Sequence, residues 1–193
     1  ISAQVVVKNE ARFVWFSIMS VIDFVDKVYI LDTGSTDGTV EILKLLKRDY
    51  PNKIILETQV LEGFDEEKVR QQMLDKVNTD WFLVLDGDEI WWRSSIKKLV
   101  QMIQEKENKI ESIVVPTINV IGDMYHYQEE AAGLYKLAGH TGHLALRAIN
   151  RKIPGLHSLG SHGVWGWVDE NNRMIQDRDK TNILFLDAPY LHT

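Results

Sequence analysis

In the first half of the chain, short β-branched runs alternate with longer stretches of helical spacing. Residues 3–7 form a β-branched run that reads as a buried strand. Residues 10–24 are apolar nearly all round, with Phe13, Phe16, Ile18 and Val21 among the large side chains, and predict a helix packed on a sheet. Residues 27–31 read as a second strand. The cluster Asp32-Thr33-Gly34-Ser35-Thr36-Asp37-Gly38 is a dense turn and helix-start signal. Residues 40–46 carry Val40, Leu43 and Leu46 at helical spacing before Pro51-Asn52 breaks the pattern. A third strand over 53–56, an exposed helix over 66–77 and a fourth strand over 81–85 follow. The alternation predicts an α/β fold, a mostly parallel sheet with helices on both faces.

The strand ends carry the polar residues. Lys8-Asn9-Glu10 follows the first strand, Asp32 the second, and Asp86-Gly87-Asp88-Glu89 the fourth. Open α/β sheets bind ligands outside the carboxyl ends of their strands, so three polar clusters are expected on one rim. Beyond Trp92 the pattern changes: residues 94–105 predict an amphipathic helix and residues 111–118 a strand ending near Pro116. From Ile121 onward Gly, His and aromatic residues mix with little periodicity, and all six histidines lie there. No repeat, low-complexity tract or linker divides the chain. One domain over 1–193 is expected, with residues 1–92 binding the ligand and an irregular half over 93–193 meeting a second substrate.

Composition narrows the function classes. The 193 residues are 45% hydrophobic and 26% charged, the profile of a globular chain that needs no covalent staples. Acids outnumber bases 28 to 22, a net charge of −6, which argues against nucleic acid as a partner. With no cysteine, disulfides, thiolate metal sites and a cysteine nucleophile are excluded. No stretch approaches the roughly 20 apolar residues of a membrane span, and no signal peptide is visible. A cytoplasmic location is expected, with the inner face of the membrane as an alternative. The strand-like start at Ile1 and the apolar run before Thr193 leave room for further residues at either end.

In an extended segment residues i and i+2 point the same way, so Asp86 and Asp88 can face one ligand across Gly87. Two hard oxygen donors at a cleft suit Mg²⁺ or Mn²⁺, which complete their shells with phosphates and water. A solvated turn is the alternative for such a segment.

Three segments in this order, Val5-Val6-Val7-Lys8-Asn9-Glu10, Leu31-Asp32-Thr33-Gly34-Ser35-Thr36-Asp37-Gly38-Thr39 and Trp81-Phe82-Leu83-Val84-Leu85-Asp86-Gly87-Asp88-Glu89, resemble family 2 glycosyltransferases of GT-A, Rossmann-like fold. The closer likeness is to a bacterial branch with V-K-N-E, D-T-G-S-T-D and D-A-D-E motifs. The resemblance implies metal-assisted transfer of a hexose or N-acetylhexosamine from a UDP- or GDP-sugar, with inversion. It further implies that Lys8, Asn9, Glu10, Asp32, Arg70 and Asp86 bind the nucleotide sugar. Asp86 and Asp88 would hold Mn²⁺ or Mg²⁺, joined by His192 from the end of the chain. Arg70 has a surface helix position as its alternative. The acceptor would be a glycan, a lipid-linked saccharide or a peptide, and homo-oligomerisation stays open.

The chain also departs from the pattern. Where many members have two aspartates, it has Asp32-Thr33, and where the branch has Gly-x-x-His-Glu it reads Gly155-Leu156-His157-Ser158. An inverting transfer needs a base for the acceptor hydroxyl. Asp123, Glu129, Asp169 and His157 are candidates by residue type and region, and Asp169 and His157 are taken as catalytic. Trp91, beside the acidic turn, is a candidate for stacking on a sugar ring, as are Trp92, Trp165 and Trp167, with core packing the alternative. His140 and His143 have a zinc-compatible spacing, but Gly139 and Gly142 argue against a helix and no third ligand is near. A sugar nucleotidyltransferase is disfavoured because Lys8-Asn9-Glu10 contains no glycine. A dehydrogenase fails for want of G-x-G-x-x-G. A non-catalytic nucleotide-sugar or carbohydrate-binding module of the same fold remains, favoured by Ser158.

Overall fold

The structure, a computed structural model, describes residues 1–60, 63, 65–106, 109–161 and 163–193, with Met124 described in its backbone only; His162 lies outside the described residues. The first four strands are β1 (Ser2–Val7), β2 (Lys27–Asp32), β3 (Ile54–Thr58) and β4 (Trp81–Asp86). They pair in parallel in the order β3-β2-β1-β4. Alternate side chains of these strands pack on opposite faces and both sets are buried, which explains the near-continuous apolar runs. Val5, Val7, Ile30, Leu83 and Leu85 pack on one face, against helices α1 (Val14–Val21), α2 (Thr39–Asp49) and α4 (Arg93–Lys106). Tyr29, Leu31, Phe82 and Val84 pack on the other, against α3 (Glu66–Lys76). Both faces are therefore core, as a parallel sheet requires.

Two local readings change. The first helix starts at Val14 rather than residue 10: residues 11–13 form a turn in which the Phe13 and Val14 amides both donate to the Glu10 carbonyl, at 3.1 and 2.9 Å, while the Glu10 and Ala11 amides donate to Thr39 Oγ1 at 2.8 Å and Asp37 Oδ2 at 3.1 Å. The helix expected to be exposed, α3, buries Val69, Arg70, Met73 and Leu74.

The second half is richer in strands than its pattern suggests. After β5 (Glu89–Trp91), which closes the first half, it supplies β6 (Ser112–Ile121), β7 (Asp123–Tyr127), β8 (Tyr135–Leu137), β9 (His140–Gly142), β10 (Leu144–Asn150), β11 (His157–Leu159), β12 (Gly166–Val168), β13 (Ile183–Phe185) and β14 (Tyr190–His192). β10 lies antiparallel between β4 and β6, so the large sheet continues β4-β10-β6-β14-β5. β11 and β12 form a separate hairpin against α3. No helix among the described residues is long and apolar enough to cross a membrane.

Candidate functional site

Parallel register brings the polar strand ends level. Val7 of β1 stands opposite Asp32 of β2, and Val6 opposite Asp86 of β4, so the Lys8–Glu10 turn emerges between the two aspartates. That turn is locked by side chains. Asn9 has φ 61°, a left-handed conformation that asparagine tolerates, and its Oδ1 accepts the Thr36 amide at 2.8 Å while its own amide donates to Ser35 Oγ at 2.8 Å. Lys8 is exposed.

Asp32 is fully buried, and its oxygens accept the Gly34 amide at 3.0 Å, the Ser35 amide at 3.1 Å and the Ser35 hydroxyl. Its carboxylate thus shapes the turn from inside. Thr33, at the position of the second aspartate of many relatives, is buried too, with its hydroxyl on the Val7 carbonyl at 3.1 Å.

The Asp86-Gly87-Asp88-Glu89 turn is the centre of the rim. A Cβ on Gly87 would lie 2.8 Å from Glu10 Cγ and 2.9 Å from Val7 Cγ1, so only glycine permits this approach of the first polar turn. Burial, with Asp88, Asp37 and Asp86 nearby, raises the Glu10 carboxyl above its ordinary range.

The two aspartates have different surroundings. Asp86 Oδ1 faces Arg70 Nη2 at 3.1 Å and Asp86 Oδ2 faces Arg147 Nη2 at 3.3 Å. Burial opposes its charge, but Arg147 and Arg70 outweigh that and hold the carboxyl below the usual range. Asp88 is a quarter exposed, and its Oδ2 lies 3.3 Å from His192 Nε2. The hydrogen bond to Asp88 is the main reason the His192 imidazole is raised above its ordinary value. The Asp88 carbonyl accepts the Thr193 amide at 3.0 Å and its hydroxyl at 2.9 Å, which seats the end of β14 on the turn.

Glu89, the fourth residue of the motif, is fully buried. It accepts the Asp86 amide at 3.2 Å and pairs with Arg147. Burial pushes its carboxyl up to about 7, against the pull of Arg147.

Arg70 is 7% exposed, which removes the surface-helix alternative. Its guanidinium lies over the Trp165 ring at 5.2 Å, and among the described residues its Nε and Nη1 have no hydrogen-bond partner. Trp91 is buried, stacked on Tyr190 at 4.9 Å and 18°; it is a packing residue in this structure, with no face open to a sugar. Trp92 is exposed and Trp167 buried.

The residues expected to be catalytic are not brought to this rim. Asp169 is buried, accepting the Asn171 amide at 2.9 Å, the Arg173 amide at 3.1 Å and the Arg178 guanidinium. Both His157 nitrogens face local partners, the Gly155 carbonyl at 2.7 Å and Asn172 Oδ1 at 3.0 Å. Ser158 is buried, and its hydroxyl accepts the Trp165 indole at 2.6 Å. Asp123 binds His126 at 2.7 Å and borders a cavity of about 600 Å³ shared with Phe13, Phe16, Ile90, Leu191 and Thr193. Glu129 offers its carbonyl to His143 at 2.9 Å, whereas His140 stacks on Phe185 at 3.7 Å, so the histidine pair is not a metal site in this geometry.

A divalent cation fits the Asp88–His192 pair by donor chemistry, one hard oxygen and one imidazole at a partly exposed edge. Among the described residues no group of three or more such side chains could hold a metal alone, so a ligand would have to complete the shell. Sequence reasoning missed Arg147, Tyr190 and the buried role of Glu89. Only Glu89 carried a signal, its place next to Asp88.

A parallel sheet continued by antiparallel strands, with an acidic turn at the carboxyl end of β4, is the GT-A glycosyltransferase architecture. Residues 1–349 of *Staphylococcus aureus* TarS superpose over 100% of this chain and 60% of that one, with TM-score 0.63 at 17% identity. Glucosyl-3-phosphoglycerate synthase from *Mycobacterium tuberculosis*, in complex with Mn²⁺, UDP and phosphoglyceric acid, covers 100% of this chain and 70% of that one, with TM-score 0.61 at 15% identity. Residues 2–165 match the family model described as Glycosyl transferase family 2, and the chain belongs to that family. The SPbeta prophage-derived glycosyltransferase SunS of *Bacillus subtilis* is 24% identical over 140 residues, 72% of this chain and 32% of SunS. The chain thus spans about a third of the length of that relative.

Proposed function

We propose that the chain transfers a hexose or N-acetylhexosamine from a UDP- or GDP-sugar, with Mn²⁺ or Mg²⁺ assistance and inversion, to a glycan, lipid-linked saccharide or peptide. The observation that carries this is the division of labour in the acidic turn: Asp86 is compensated by two arginines, while Asp88 faces His192 at the open edge. Asp86 then suits a neutral hydroxyl of the nucleoside, with Lys8, Asn9 and Glu10 lining the pocket that Asp32 shapes from within. Asp88 and His192 would hold the cation, which when bound supplies charge neutralisation for the leaving diphosphate. Arg70, which pairs with Asp86 at 3.1 Å and lies 3.9 Å from Glu66, would balance the acidic rim against the donor's diphosphate. Insertion of β10 beside β4 supports one domain rather than two, and the location is taken as cytoplasmic.

Calorimetric titration with UDP, GDP and their sugars, with and without Mn²⁺, tests the reading. Metal-dependent binding of one nucleotide is the expected result, and no binding to any of them refutes it. A second reading, a binding module without turnover, is favoured by the burial of Ser158 and Asp169 away from the rim. Donor hydrolysis or transfer by the same protein excludes that second reading.

A further inference from the structure

The register of β10 against β6 slips between Leu146, opposite Val114, and Ala148, opposite Ile113, leaving Arg147 as the extra residue of a bulge. Bulges beside functional sites re-aim a side chain that regular pleating would send elsewhere. Here the side chain enters the floor of the acidic turn. Arg147 Nη2 lies 3.3 Å from Asp86 Oδ2 and also pairs with Glu89, while Nε donates to the Tyr190 hydroxyl at 2.9 Å. Tyr190 presents its ring to the guanidinium at 5.4 Å and stacks on Trp91. Glu89 in turn holds the Asp86 amide at 3.2 Å. The carboxylate of Asp86, its backbone and the strand that follows the turn all converge on this one guanidinium. Its charge also offsets acids that would otherwise repel a diphosphate.

We infer that Arg147 is a positioning residue of the donor site: it fixes the Asp86 carboxylate between two guanidiniums so that the nucleoside diphosphate meets an oriented, charge-compensated acceptor. This rests on the donor-site reading above. Arg147→Lys keeps the charge, but its single ammonium cannot span Asp86, Glu89 and Tyr190 together. Affinities for UDP and GDP with Mn²⁺ would be measured by calorimetry for wild type, Arg147→Lys, Asp86→Asn and the double variant, alongside thermal melting. The expected loss for Arg147→Lys is about tenfold, the scale of one hydrogen bond to a charged group. In the Asp86→Asn background the same substitution should cost less than about twofold, because the group it acts through has changed.

Equal losses in both backgrounds would show a merely structural role and overturn the inference, as would wild-type affinity in folded Arg147→Lys. If Arg147→Lys does not fold, Tyr190→Phe removes the hydroxyl that holds both the Arg147 guanidinium and Glu89, and its loss of about threefold should likewise vanish with Asp86→Asn. If Asp86→Asn binds too weakly to titrate, crystal structures of the folded single variants decide. A displaced Asp86 carboxylate supports the inference and an unmoved one overturns it. A wild-type protein that binds neither nucleotide overturns the donor-site reading itself, and the inference with it.

Discussion

Asp88→Asn should separate the proposed metal binding from folding, because the two would rest on different atoms of the residue. The fold uses the Asp88 carbonyl, which takes the Thr193 amide at 3.0 Å and hydroxyl at 2.9 Å, and the substitution leaves that carbonyl in place. The side chain's favourable contact is with His192, at 3.3 Å between groups 25% and 48% exposed, and it is offset in part by repulsion from Glu10. An ion pair this open is worth about 0.2–1 kcal/mol, or a melting shift of at most about 4 °C for a domain of this size. The sign follows from His192, whose folded value is raised chiefly by Asp88. The contact is therefore fully present below the ordinary imidazole value of about 6.5 and fades as pH rises through the raised value. The melting difference between wild type and variant should be largest below about pH 6.5 and shrink as pH rises through the raised His192 value.

Metal binding should respond on another scale. Loss of an outer-shell partner typically costs 10- to 100-fold in metal affinity, so loss of the one carboxylate in a two-ligand set should exceed about 100-fold, about 2.7 kcal/mol. Titration of nucleoside diphosphate with Mn²⁺ and with a chelator, next to a melting curve, reads both quantities. A folded Asp88→Asn protein that keeps the wild-type metal dependence would refute the assignment.

Three further substitutions test the surroundings. Asp169→Asn should cost about 2–3 kcal/mol while leaving nucleotide affinity unchanged, since its hydrogen bonds to Arg178 and the Asn171 and Arg173 amides are structural; lost turnover at full stability would restore a catalytic role. Burial works against the Asp169 charge, but those partners hold its carboxyl below the ordinary range. Its contribution is complete above about pH 4 and should disappear as acid titration passes the depressed value. Ser158→Glu would place a carboxylate beneath Trp165, so about 2–4 kcal/mol of destabilisation and no gain in transfer are expected, and a stable, more active protein would contradict the geometry. Gly87→Ala should destabilise by about 1–2 kcal/mol despite its lower unfolded-state entropy, because Val7 Cγ1 would stand 2.9 Å from the new methyl; a raised melting temperature would refute this.

Much of the first half was legible in the chain. A parallel strand buried on both faces must be apolar throughout, so β1, β2 and β4 announced themselves. Polar residues at their ends could only fall on one rim, and the motifs at Asp32 and Asp86–Asp88 lay there. What the pattern could not convey was each carboxylate's environment: Asp32 looks as available as Asp88 in sequence, yet it is fully buried with its oxygens taken up by its own turn. Arg70 carried a surface helix position as its alternative because its helix is polar, whereas the β11–β12 hairpin lays Trp165 over it. Asp169 and His157 were chosen by residue type and region, and local partners occupy both. Arg147 gave no signal at all. Its position depends on a bulge between two strands distant in sequence, and a local pattern carries no record of register. The sequence by itself determined which strands would form and that their acidic ends would meet at one edge, because periodicity and strand polarity are local properties. Tertiary structure alone decided which acids are paired, buried or open, because a carboxylate's charge and reach depend on neighbours brought from elsewhere in the chain.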